Sequence, residues 1–550
     1  MEKTKKKLTI PVEETFFAKP TWLKTWSGIP LKKVYTPDDV KGIDYARDLG
    51  DPGQFPYVRG IFPDMYRGRL WSVRQVSGHS SPRVTNEWLR YLVSEGANSI
   101  NVIGDQPNLN GVDPDHPMAE GAVGLMGCPG CSLRDMEILM DGLPLQLSTT
   151  LSTHLLQPLA YLALCEREEL PWTQVRGTFF YNMLTAPLTR YLHTCDLHGY
   201  GMRIAADALN WYSTNVPRAI PICIGPEGIR ESGATAAQEI AFSFAAAKLY
   251  LNEALKRGGE IDVIAPHIAF THRCGVDIFE EAAKFRAARR VWAKMLGDDY
   301  GAQSPLSLTY KVHVVTKGSD LVPQQAECNI VRIAYQALAA ILGGVQSMHT
   351  CSFDEPICLP TDESVRMALR TQQILAYETG VTTVADPLGG SYYVEHLTNT
   401  LEEEITKIIR EWDEKDMIEA INNEELMNTV LHQAYQFQRE VEAGERIVVG
   451  LNKFTIPEEE EREARLFQVD EAAVEEYIAD VKELKRARDN RRVKEALENL
   501  RRCVDDRDMN CIPAAYEAVK AYATGAEIQG VIRMSYGYPY DPFDMVDYPF

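Results

Sequence analysis

From Asn98 onward the chain alternates short apolar runs with amphipathic helical stretches, and this alternation limits the folds open to it more than any other feature. Candidate strands are Ser99–Gly104, Leu145–Leu151, Gln174–Phe180, Ile220–Gly225, Asp262–Ile268, Leu306–Val315, Gly344–His349 and Thr382–Asp386. Between them lie helical patterns over Thr153–Arg167, Ala234–Lys256, Asp277–Leu296, Asn329–Ala340 and Asp362–Glu378, and Val84–Glu95 leads into the first strand. Eight strands in near-strict alternation with helices point to an α/β chain folded as a (β/α)8 TIM barrel. A doubly wound sheet is the second choice, and it usually needs fewer strands.

At 550 residues the chain exceeds one ordinary domain, though a barrel with extensions can hold most of it. Residues 1–40 are rich in Lys and Pro, lack periodicity and read as an extended arm. Residues 41–395 form the barrel, and 396–465 a helical segment and linker that includes the acidic run Pro457–Arg465. Residues 466–550 read as a charged helical extension. Within it, Glu471–Arg502 alternates acidic and basic residues with Ala, Val and Leu on one face, the pattern of a surface or subunit-contact helix. The last stretch, Tyr536–Phe550, reads as a tail pinned on a neighbour.

A formal net charge of -21 argues against nucleic acid as a partner. No uninterrupted apolar segment approaches membrane-spanning length, and no apolar run of signal-peptide length follows the basic start Met1–Lys7. Eleven cysteines are scattered rather than framework-spaced, which suits a reduced cytoplasm. Cys128-Pro129-Gly130-Cys131 supplies two potential ligands with no second pair at zinc spacing, so it reads as a Gly/Pro turn and no metal is expected. Asp113-Pro114-Asp115 reads as a helix-capping loop.

Chemistry concentrates in Arg69-Leu70-Trp71-Ser72-Val73-Arg74-Gln75-Val76-Ser77-Gly78. Read as a loop, it offers fork-shaped cations, an indole face and small donors to an extended anion such as a phosphorylated nucleotide. The stretch closely resembles the signature of the coenzyme-A-dependent carbon-skeleton mutases, the methylmalonyl-CoA mutase family, which reads Arg-Pro-Trp-Thr-x-Arg-Gln-Tyr-x-Gly. Further landmarks are similar and fall in family order: Asn215-Val216-Pro217, Glu231–Thr235, Phe285–Lys294, Gln346–Thr350, Leu359–Asp362, Thr371-Gln372 and Asp386–Ser391.

The resemblance implies a barrel whose pore holds the pantetheine arm of coenzyme A, with adenosylcobalamin capping its C-terminal face. In the family, cobalamin is gripped by a separate module carrying Asp-x-His-x-x-Gly. The literal match Asp196-Leu197-His198-Gly199-Tyr200-Gly201 sits between barrel elements and lacks the Ser-x-Leu and Gly-Gly partners, so it is set aside. The module is expected on a small cobalamin-binding subunit that shares the cofactor with this chain in a heterotetramer.

Carried onto this sequence, the family's substrate contacts divide into kept and lost. Arg190 matches the arginine that binds the substrate's free carboxylate. The substrate tyrosine is Val76 here, and a phenylalanine on an early strand is Gly104. The glutamine and histidine that contact the thioester carbonyl are Phe180 and Gly228, and the tyrosine before that histidine is Glu227. Among coenzyme-A contacts, Arg69, Ser72, Arg74 and Gln346 are kept, His267 replaces an arginine and Ala269 a serine. Asp386 matches an acidic position expected near the adenosyl ribose.

Losing one preorganised donor typically costs about 2.7–4 kcal/mol of transition-state stabilisation. An unfilled aromatic-sized hole costs roughly 3–5 kcal/mol. Both losses fit a larger acyl group in the pocket, with Phe180 stacking on an aryl or packing on a branched alkyl substituent. The expected function is therefore the large catalytic subunit of an adenosylcobalamin-dependent mutase, an isomerase acting on a substituted succinyl- or malonyl-CoA. Two alternatives stand beside it: a short-chain mutase of methylmalonyl or hydroxyisobutyryl type, and a non-catalytic paralogue that binds a partner subunit.

Overall fold

The computed structural model describes residues 23–152, 156–182, 184, 197–225, 227–413, 415–461 and 465–550. Eight parallel strands form its centre: β1 Ser72–Val73, β2 Ser99–Ile103, β3 Ser148–Ser152, β4 Gly177–Phe179, β5 in two pieces (Ala219–Ile220 and Ile222–Ile224), β6 Ile268–Cys274, β7 Val312–Thr316 and β8 Ser347–His349. β5 is broken at Pro221, which has no N–H to give to a ladder. One run pairs β1 with β8, β7, β6 and the second piece of β5; the other pairs β2 with β3, β4 and the first piece. The runs also meet at Ser77, which donates to Asn101 and accepts from Ile103, each at 3.0 Å. The pairings thus complete a circuit, a (β/α)8 barrel.

The helices alternate with these strands: α1 Pro82–Ser94, α2 Leu133–Leu139, α3 Leu156–Arg167, α4 Met202–Asn215, α5 Ala236–Lys256, α6 Ile278–Tyr300, α7 Cys328–Leu342 and α8 Asp362–Tyr377. Local sequence sets their starts. Thr235 accepts from Gln238 while the Gln238 side chain accepts from Thr235, a reciprocal cap that opens α5.

Three expectations need correction. The Arg69–Gly78 stretch is not a loop but contains β1, hidden by its arginines and serines. Asp262–Ile268 is mostly two short helical turns, Ile261–Ile264 and Ala265–His267, with Pro266 inside them. The strand begins at Ile268 and runs on through polar Thr271, His272 and Arg273. Thr382–Asp386 is no strand; it is a turn that places Asp386 at φ +48°.

Along the strands, alternate residues part cleanly. Ile100, Val102, Leu151, Phe179, Ile222, Phe270, Val314 and Met348 belong to the large apolar core shared with the helices. Each such side chain contributes about 1.5–3 kcal/mol by leaving water. Residues of the opposite parity, among them Asn101, Thr150, Ser152, His313 and His349, line an interior cavity. Most barrels fill that interior with Val, Ile and Leu. This one lines it with hydroxyl, amide and imidazole groups.

Beyond the barrel come α9 Tyr392–Asp413, α10 Glu425–Glu442, α11 Glu471–Ala487, α12 Asn490–Asp505, α13 Ile512–Lys520 and α14 Gly525–Ser535. The single helix expected over Glu471–Arg502 is two, because Arg488 is extended and Asp489 caps α12. Tyr477 and Val481 of α11 pack on Ala119, Val123 and Cys131. Asp113 does cap a helix, but a distant one: it accepts from the Thr524 hydroxyl at 2.6 Å and the Ala526 N–H at 3.2 Å at the start of α14. In the tail, Tyr536, Tyr548 and Phe550 pack against the chain's own core.

Candidate active site

A cavity of about 510 Å³ opens where the strands end at their C-terminal side. Its rim and walls come from Ser77 and Gly78 after β1, Gly104 after β2, Ser152 of β3, Phe180 after β4, Arg273 of β6, Val315 of β7 and His349 of β8. Barrel enzymes place their chemistry at this face. Val76, Gly104 and Phe180, far apart in sequence, all line this one cavity, as do Ile103 and Leu109. The Gly104 backbone is closely covered: a Cβ on Gly127 would lie 2.3 Å from the Gly104 carbonyl oxygen, so this loop packs only because residue 127 is glycine.

Other parts of the lining are polar. Arg273 Nε contacts Glu231 at 2.9 Å, and Glu231 also accepts N–H groups from Gly318 at 3.0 Å and Ser319 at 2.8 Å. Glu355 lines the cavity with its side chain exposed there, and partial loss of water pushes its carboxyl up to about 7. Burial, helped by the Arg273 charge, pulls the His349 imidazole down to about 3. His313 is likewise held neutral by burial and nearby Arg74; its Nδ1 meets the Ser347 hydroxyl at 2.9 Å while Nε2 has no partner.

Below the cavity, Arg74 crosses the bore. Its guanidinium donates to Ser148 at 2.7 Å, to Thr150, and to Thr178 at 3.4 Å, and it faces no carboxylate among the described residues. Burial lowers its pKa to about 10, and its Nε is unpartnered. At the N-terminal mouth, exposed Arg69 precedes β1, and Ser72 donates its N–H to the Gln346 carbonyl at 3.0 Å. Lys311, pulled down to about 8 by burial, stands at the start of β7.

Not every expected residue joins these groups. His267 is buried and bonds the Ala219 carbonyl through Nδ1 at 2.7 Å, and burial lowers its pKa. That bond ties the start of β6 to β5. Asp386 lies outside the cavity lining; Arg59 at 3.1 Å and Arg286 occupy its two oxygens. Gly228 sits in the short helix Glu227–Glu231 and does not line the cavity, whereas Glu231 does. Arg190 and the Glu227 side chain lie outside the described residues, as does Asp196. The rest of that rejected motif falls between β4 and α4, with Leu197–Gly201 forming one wide helical turn. Cys128 and Cys131 are buried thiols raised by burial.

Arg273, Glu231, Glu355, His313 and His349 were not singled out from sequence. Glu231 and His349 stood inside matched landmarks. Arg273 was lost because β6 was placed one strand-length early, and Glu355 sits in a stretch with no periodicity.

A family model described as methylmalonyl-CoA mutase matches residues 24–538. The 2-hydroxyisobutanoyl-CoA mutase large subunit of Aquincola tertiaricarbonis is 35% identical over 518 residues, 93% of this chain and 92% of that one. The methylmalonyl-CoA mutase of Rhizobium meliloti is 37% identical over 521 residues, 93% and 72% of the two chains. The methylmalonyl-CoA mutase large subunit of Porphyromonas gingivalis is 34% identical over 513 residues, 92% and 71%. Fold, cavity and relatives define an isomerase of the acyl-CoA mutase class. Within that class, the chain belongs to the methylmalonyl-CoA mutase family.

Proposed function

We propose that this chain is the barrel subunit of an adenosylcobalamin-dependent mutase that rearranges the carbon skeleton of an aryl- or branched-alkyl-substituted succinyl- or malonyl-CoA. The carrying observation is that Val76, Gly104 and Phe180 line one cavity of about 510 Å³, room for a large acyl substituent. The cavity holds about seventeen water volumes at roughly 30 Å³ each. The bore supports a coenzyme-A thioester: a polar thread entering past Arg69 and Gln346 meets Ser148, Thr150 and the unpartnered nitrogens of Arg74 and His313. Arg190 is the candidate ligand for a free carboxylate.

The donor set also fits the cofactor. Glu231 and Glu355 present acceptors at the open end of the cavity that suit the sugar hydroxyls of an adenosyl group, and Met126 and Phe467 supply apolar rim. When bound, adenosylcobalamin supplies the radical that starts the rearrangement. This chain's own part is to orient the acyl group, shield it from water and hold the thioester thread. A small cobalamin-binding subunit in a heterotetramer completes the site; the large-subunit name of the 2-hydroxyisobutanoyl relative supports a smaller partner. Ten free cysteines among the described residues, eight of them buried, suit a reducing cytoplasm.

That relative, matched over 92% of its length, favours a second reading, a short-chain mutase of hydroxyisobutyryl type. Turnover on CoA esters of increasing acyl size, with and without a small cobalamin-binding subunit, decides between them. The proposal expects activity only with both subunits and a preference for the larger esters. Preference for methylmalonyl-CoA or hydroxyisobutyryl-CoA, or turnover by the single chain, overturns it.

A further inference from the structure

One residue that lines the acyl cavity comes from beyond the barrel's own elements. The other described lining residues fall between Val76 and Val365, whereas Phe467 belongs to residues 465–470, the extended lead-in to α11. That short strap is pinned to the loops after two paired strands, β1 and β8. On the β8 side, the Cys358 thiol donates to the Arg465 carbonyl at 3.8 Å and its sulfur accepts from the Phe467 backbone. On the β1 side, the Asp470 N–H donates to the Ser80 hydroxyl at 3.1 Å. The neighbouring Leu466 is 55% exposed, so Phe467 is the side chain that the strap directs to the cavity.

There its ring joins two others. Phe467 meets His79 with ring centroids 4.8 Å apart and planes at 69°, His79 meets Trp88 at 5.7 Å and 73°, and all three residues line the cavity. Burial pulls the His79 pKa down to about 4, so at neutral pH its imidazole is an uncharged ring. His79 follows Val76 by three residues, at most about 10 Å of chain, which keeps the rings close to a lining position where valine leaves room. An aromatic group packed edge-to-face on such an array is attracted beyond the area it buries, and a saturated group of the same size gains the area alone. We infer that His79, Trp88 and Phe467 form an aryl subsite of the acyl cavity, with Phe467 as its specificity-determining residue, and that the acyl substituent is aryl rather than branched alkyl. The inference rests on the acyl-CoA reading of the cavity.

Calorimetric titration of the full chain with succinyl-CoA and with its 2-benzyl and 2-cyclohexylmethyl derivatives tests it without any turnover. The two derivatives share one carbon framework and differ in aromaticity. The wild type is expected to bind the benzyl ester about three- to tenfold more tightly than the cyclohexylmethyl ester. Phe467→Leu keeps an apolar side chain on the strap without a ring. It is expected to bring that ratio below about twofold with the succinyl-CoA affinity unchanged, and Phe467→Tyr to keep the wild-type ratio. If Phe467→Leu keeps the ratio, or weakens all three esters alike, or if the wild type does not discriminate, the subsite does not exist. Loosened adenosylcobalamin binding by Phe467→Leu beside a small cobalamin-binding subunit, with the ester ratio intact, gives the ring to the cofactor and overturns the inference. If the wild type binds none of the esters, the acyl-CoA reading itself falls, and this inference with it.

Discussion

The backbone N–H of Val76 donates to Nδ1 of His349 across 3.1 Å, tying β1 to the end of β8. Nδ1 therefore offers a lone pair, and the ring proton of the neutral imidazole sits on Nε2. With the imidazole held at about 3, protonation is resisted by the folded protein. Nitrogen NMR of His349 is expected to show one neutral tautomer with no titration between about pH 5 and 8. The sign for stability follows: the unfolded chain takes up this proton near 6.5, so the group withdraws stability as pH falls from there toward 3. An imidazolium signal in the neutral range contradicts this.

Asp105, adjoining Gly104, accepts N–H groups from Gly124 at 2.9 Å and Asn108 at 3.0 Å, and burial pushes its carboxyl up to about 7. A carboxyl with a raised native pKa costs stability as pH climbs from its unfolded value of 3.8 through 7. Asp105→Asn keeps an oxygen for capping and removes that cost. Urea midpoints across this range are expected to diverge in favour of the variant and to level off above 7. Parallel curves defeat the assignment.

Lys284 is fully buried and pairs with Glu239 at 2.8 Å and Glu281 at 2.5 Å. Lys284→Met leaves Glu239 and Glu281 to share Arg230 as their one cation among the described residues and is expected to destabilise the barrel by about 3–5 kcal/mol. Chemical denaturation measures it; a loss under about 1 kcal/mol means the carboxylates find other partners.

Size selection is tested by Val76→Tyr with Gly104→Phe, which refills the cavity. Overpacking of about 1–3 kcal/mol or more is expected to exclude aryl and long branched substrates. Methylmalonyl activity need not appear, since Phe180 still offers no donor to the thioester. Retained turnover of the largest esters removes the enlarged-pocket reading.

Arg190→Ala is expected to lower turnover of dicarboxylic acyl-CoA esters by at least one to two orders of magnitude, roughly 2–4 kcal/mol. Unchanged kinetics place the carboxylate elsewhere.

The barrel was legible because strand–helix alternation survives local error: β2, β3, β4, β5, β7 and β8 fall within or overlap their expected runs. Two of the misses share one cause. β1 and the end of β6 carry Ser72, Thr271 and Arg273 on strands, and polar residues on strands erase the apolar signal that marks them. In an ordinary barrel those positions would be apolar. The site was half legible for a related reason: family landmarks led to Val76, Gly104 and Phe180, while Glu227 and Gly228 led only to the helix whose last residue, Glu231, reaches the cavity. Asp386 was singled out because it matches an acidic family position, and in the structure Arg59 and Arg286 hold it outside the cavity lining.

The parting of apolar outer faces from a polar bore has an evolutionary consequence. Cohesion of the strands is supplied from outside, by the helical jacket, so side chains at the inner end of the tube contribute little to whether the chain folds. Once a ligand fills the space, exchanging an aromatic for Val76 or Gly104 draws less on the stability margin than the same exchange at a core residue such as Val102 or Leu151. A scaffold organised this way can change what it accepts without first becoming more stable, and its substrate range is free to drift while its architecture stays put.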